Sequence, residues 1–135
     1  MPGMVADVNV EGHLQVLVLL LREESRRAFW AHLNFRTPSF HDLGLPPISS
    51  DRAVWQKCQQ EQLVLITANR NDDGRDSLEA TIRVLNTKES LPVITLANPD
   101  RILSDRHYAE RTADQLLEYL IDLEKYRGTG RLYVP

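Results

Sequence analysis

The run Leu63-Val64-Leu65-Ile66-Thr67 constrains the fold more than any other feature of this sequence. It is a short apolar run bounded by polar residues, Glu61 and Gln62 before it and Asn69 after it, and it lacks the alternation of a strand wetted on one side. A strand that is apolar throughout is covered on both faces, the situation of a parallel sheet between two helical layers. Met4–Val8, Pro92–Leu96 and Arg131–Val134 read as companion strands, and Arg36–Phe40 as another, confined to an edge by Pro38.

Helical spacing fills the intervals. Leu14, Leu17, Val18 and Leu21 recur on one face from Glu11 onward, and Ala28, Phe29 and Leu33 extend the pattern past the polar break Arg22–Arg27. Ser49 or Ser50 caps a helix to about Gln60 with Val54, Trp55 and Cys58 inward. Asp76 or Ser77 caps the next, whose inward residues are Leu78, Ile82 and Leu85. Ala109, Ala113, Leu116, Leu117, Leu120 and Leu123 form the most regular stripe, closed by Gly128 and Gly130. Leu43–Ser50 is a loop, and Asn69–Gly74 and Asn98–Asp100 are turns. Strand and helix in alternation predict a three-layer α/β/α sandwich with a central, mainly parallel sheet, right-handed crossovers placing helices on both faces. At 135 residues the chain is sized for one domain, 1–135.

Composition narrows the function classes. With 42% hydrophobic and 26% charged residues the chain is neither disordered nor fibrous. The one cysteine, Cys58, excludes an internal disulfide and a multi-thiolate zinc site, and its place on an apolar helix face beside Trp55 predicts a buried, inert thiol. The longest apolar run, Val16–Leu21, is too short to span a membrane, and the N-terminus shows no signal-peptide pattern, so a cytoplasmic protein without membrane partners is expected. A net charge of -3 and a pI near 5.8 disfavour a broad phosphate-tracking surface. No G-x-S-x-G or Walker A motif is present, Gly128-Thr129-Gly130 lacks the context of a dinucleotide fingerprint, and His13, His32, His41 and His107 show no ligand spacing.

In a parallel sheet, ligands gather outside the carboxyl ends of the strands. The first strand ends in Asp7-Val8-Asn9, the third runs into Asn69-Arg70-Asn71-Asp72-Asp73 with Asp76 beyond, and Asp51 starts the helix before it. Oxygen ligands without His or Cys suit Mg²⁺ or Mn²⁺ rather than zinc. Asp and Asn also cap helices and form turns, a second reading open at each position. It is weakest for Asp7, because a carboxylate in an apolar strand needs a partner or a metal.

The segments Asp7-Val8-Asn9, Ser50-Asp51-Arg52-Ala53-Val54-Trp55 and Leu65-Ile66-Thr67-Ala68-Asn69-Arg70-Asn71 together resemble the small PIN-like proteins of the DUF5615 type, related to toxin ribonucleases and to the Mut7-C domain. Asp76-Ser77-Leu78-Glu79 and Tyr126-Arg127-Gly128-Thr129-Gly130-Arg131 resemble a cyanobacterial-type subgroup of that family. The resemblance implies a PIN-like sheet edge that holds Mg²⁺ or Mn²⁺ and hydrolyses RNA phosphodiesters, in a toxin–antitoxin setting. Asp7 and Asp51 match the family's first-strand and helix acids, with Asp76 as third acid and Asn69 as a further metal ligand. Single-stranded RNA, a partner protein and a second copy in a homodimer are the implied partners. The chain departs from the pattern in placing Asn69 and Asn71 where Asp is usual and Val8 where Glu is usual. Amides ligate through oxygen without supplying charge, so cation binding is expected to be weak unless Asp72, Asp73 or Asp76 compensates. The alternative is a PIN-like domain that has lost catalysis and acts as a binding or regulatory module. A receiver-type phosphoacceptor domain is disfavoured, since it would want a carboxylate where Asn69 stands.

Overall fold

A computed structural model describes residues 2–69 and 77–135. Four strands, β1 (Gly3–Ala6), β2 (Leu63–Thr67), β3 (Val93–Leu96) and β4 (Arg131–Val134), pair in the order β1-β2-β3-β4, all parallel. Among the described residues six α-helices accompany them: α1 (Glu11–Leu21), α2 (Glu24–Leu33), α3 (Asp51–Gln60), α4 (Leu78–Leu85), α5 (Pro99–Ser104) and α6 (Arg106–Ile121). The three-layer α/β/α sandwich expected from the sequence is the architecture observed. Among the described residues, no helix is long and apolar enough to cross a membrane.

Strand alternation divides the core in two. Met4, Ala6, Val64, Ile66, Ile94, Leu96 and Val134 face α1, α2, α5 and α6, and they pack with Leu17, Leu21, Trp30, Leu116 and Leu120. Val5, Leu63, Leu65 and Val93 face the other way, onto Val54, Trp55 and Cys58 of α3 and Leu78 of α4. All five residues of β2 are buried, as its unbroken apolar run requires.

This arrangement corrects the expectation of uniformly right-handed crossovers. The steps β2→β3 and β3→β4 go the same way across the sheet, yet α4 covers one face and α5 and α6 the other. The two connections therefore have opposite hands, although the right-handed form occurs in roughly 98% of cases. With this strand order, same-handed connections would put α4, α5 and α6 together on one face.

Four local expectations also change. Asp7 lies just past the end of β1, where the Val10 amide bonds back to its carbonyl and closes a 3-10 turn over Val8–Val10. The break after α1 resets the helical phase, so Trp30 rather than Phe29 is buried in α2. Arg36–Phe40 is not a strand: Arg36 makes one bridge to Gly3, and Pro38 has no N–H with which to continue the ladder. The turn expected at Asn98–Asp100 opens α5, with Pro99 at the first helical position. Of the alternative caps, Ser50 accepts from the Ala53 amide at 3.1 Å and Ser77 from the Ala80 amide at 3.2 Å.

Candidate functional site

Parallel register sets the site's floor. Ala6 pairs with Ile66, and Thr67 with Thr95, so Asp7, Thr67 and Thr95 form a row on the α3–α4 face at the carboxyl edge. Both threonines are fully buried. The Thr67 hydroxyl donates to Asp7 Oδ2 at 3.2 Å and accepts the Asn69 amide at 3.0 Å. The side-chain amide of Asn69 in turn donates to Asp51 Oδ2 at 2.9 Å, and the Leu78 amide reaches the same oxygen at 3.2 Å. Asp51 begins α3 and Leu78 begins α4, so this carboxylate sits at the positive end of both helices.

The structure thus brings Asp7, Asp51 and Asn69 into one hydrogen-bonded chain running Asp7–Thr67–Asn69–Asp51. Asp76, Asn71, Asp72 and Asp73, the remaining acids and amide of the sequence reading, lie outside the described residues. Among the described residues no three His, Cys, Asp or Glu side chains converge as a ligand set.

Electrostatics distinguish Asp7. Burial raises its pKa above the ordinary 3.8, the bonds from Thr67 and the Val8 backbone partly counter this, and the Asp51 charge raises it further. Cys58 behaves as the sequence suggested: it is buried, and its thiol is pushed up to about 12, chiefly by burial and then by Asp7.

Sequence reasoning missed a second polar group beside the first. Arg131 lies on the same face of the sheet, its side chain only 7% exposed. Its Nη1 donates to the Asn69 carbonyl at 2.8 Å and to the Thr95 hydroxyl, and its Nε donates to Glu79 at 2.6 Å. Its Nη2 also lies 2.6 Å from that Glu79 oxygen, a charge contact without a well-aligned hydrogen bond. The signal was faint but present, since Thr67 and Thr95 are the only hydroxyls in two apolar strands.

The two carboxylates are the donor type that a hard divalent cation takes. Asp7 and Asp51 supply two carboxylates, and no described cationic side chain pairs with the half-buried Asp7. Comparison with known proteins gives no match to a family model, to a curated protein or to a solved structure.

Proposed function

We propose that this chain is a divalent-cation-dependent phosphodiesterase of the ribonuclease type, with Asp7 and Asp51 as the residues that hold Mg²⁺ or Mn²⁺. The observation that carries the reading is the convergence of Asp7, from the end of β1, and Asp51, from the start of α3, through Thr67 and Asn69. The Asp51 charge raises the pKa of Asp7, and a cation held by the two carboxylates would offset that repulsion. When bound, the cation would activate water and stabilise the charge that develops on a phosphate. Thr67 orients the Asp7 carboxylate, and Asn69 does the same for Asp51.

A second reading, a binding or regulatory module that has lost catalysis, is favoured by one contact. The Asn69 amide satisfies Asp51 with a neutral donor, so the carboxylate is stable without metal.

The test combines melting and cleavage. Mn²⁺ at tenfold its dissociation constant should stabilise the protein by about 1.4 kcal/mol. Single-stranded RNA should be cleaved with Mn²⁺, and Asp7→Asn should abolish cleavage while the variant stays folded. Stabilisation without cleavage would favour the binding module. A melting temperature indifferent to millimolar Mn²⁺ would refute the metal site.

A further inference from the structure

The outer edge of β1 carries an observation that the acidic site does not use. The amides of Gly3 and Asp7 donate toward β2, so the intervening Met4 and Ala6 direct their N–H and C=O groups outward. The Met4 amide donates to the Arg36 carbonyl at 2.9 Å. One step further the ladder stops: Pro38 cannot donate, and the chain diverges from the strand. The Ala6 N–H and C=O, in a residue only 5% exposed, have no hydrogen-bond partner among the described residues. Turned toward an open groove, this backbone pair is available to bond an occupant.

A groove of about 410 Å³ opens at that point, between α1 and residues 37–39. Ala6 contributes to its lining, Leu14 and Val18 form one wall, and Pro38 lies on the other. Glu11 and Arg22 both line it, so it carries no net charge. Its volume is within the range of small-ligand sites, and its chemistry suits an uncharged ring rather than a phosphate.

From this we infer that the groove is a base-binding subsite, in which a nucleobase lies flat between the α1 side chains and Pro38 while its edge bonds to the Ala6 N–H and C=O. A base edge presents an adjacent donor and acceptor, the complement of such a backbone pair. Ala6 is covalently next to Asp7, so a base held here belongs to a nucleotide whose phosphate is near the acidic edge. The inference rests on the phosphodiesterase reading for its choice of ligand and deepens it by assigning the substrate as a single strand with one base withdrawn from the stack.

The test titrates ¹⁵N-labelled protein with adenosine and with uridine in EDTA, so that metal has no part in it. The expected result is a saturable downfield shift of the Ala6 amide resonance, with slower hydrogen exchange at that amide. Gln15, exposed at the groove, offers a blocking variant. Gln15→Trp should melt as the wild type does and bind each nucleoside at least about tenfold more weakly. An Ala6 resonance unmoved at saturating nucleoside solubility, or moved only by a short extended peptide, would overturn the inference. A nucleoside response at Ala6 with no Mn²⁺ response at Asp7 would sustain the groove and overturn the hydrolase. The converse would overturn the groove alone.

Discussion

Replacing Arg131 tests whether the buried guanidinium holds the site together. Arg131→Met keeps an unbranched apolar stem and removes the fork that joins Thr95, the Asn69 carbonyl and Glu79. Breaking a buried ion pair by deleting one partner typically costs about 3–5 kcal/mol, because the other charge stays behind without compensation. The Glu79 side chain is 34% exposed and remains partly solvated, which moves the expectation to the low end, about 3 kcal/mol. For a chain of this length each kcal/mol shifts the melting temperature by roughly 4 °C, so a fall of about 12 °C is expected. Glu79→Leu in the same background should recover part of it, since the stranded carboxylate is then gone. The assay is chemical and thermal denaturation of the wild type, both single variants and the double variant. A coupling energy of about 2 kcal/mol between the two positions is expected. A loss below about 1 kcal/mol for Arg131→Met, or additive single variants, would refute the argument that the fork is a single unit.

Three further outcomes follow from the same geometry. Because Asp7 has a folded pKa above its ordinary value of 3.8, the native state binds more protons than the unfolded chain between those two values, and this group's contribution to stability falls as pH rises through that window. Asp7→Asn should remove that fall, which urea melts from pH 3 upward would show as a flatter profile. In Asn69→Asp a carboxylate replaces the amide that now donates to Asp51 at 2.9 Å, so the metal-free protein should lose about 1–2 kcal/mol and gain more stabilisation from Mn²⁺ than the wild type, as paired melting curves would show. Cys58, buried and with its thiol pushed up to about 12, should react with a thiol reagent at pH 8 only when the protein unfolds; rapid labelling of native protein would contradict its burial.

Legibility in the sequence followed the range of the interactions. β2 was visible at its observed limits, Leu63–Thr67, because an unbroken apolar run is a local signal of two-sided burial. The cap of α3, narrowed to Ser49 or Ser50, and the stripe of α6 were visible for the same reason, since caps and helical periods are written within a few neighbouring residues. α5 was read as a turn because Asn98-Pro99-Asp100 serves equally as a turn or as a helix start, and only the packing of Ile102 into the core decides between them. Asp7 and Asp51 could be named as candidates by type. Their linkage through Thr67 and Asn69 depends on strand register, which no local pattern encodes. Arg131 and Glu79, 52 residues apart, were invisible for that reason.

The two polar groups are joined at one residue, and that junction explains why the carboxyl edge acts as a unit. Asn69 holds Asp51 with its side chain, rests its amide on Thr67 and gives its carbonyl to Arg131. Thr67 has a single hydroxyl proton, which it gives to Asp7 while its lone pair receives the Asn69 amide. A change of charge on Asp7 therefore alters the demand on that proton and, through the same oxygen, the seat of Asn69. Arg131 resists the movement from the opposite side, anchored to β3 through Thr95 and to α4 through Glu79. Sheet stability alone does not call for a charged pair in this place, where apolar residues of similar volume would serve as well or better. What an apolar pair would lack is a donor for the Asn69 carbonyl. The placement of that one backbone oxygen, and with it the distance between two acids on different elements, is the property the buried charge supplies.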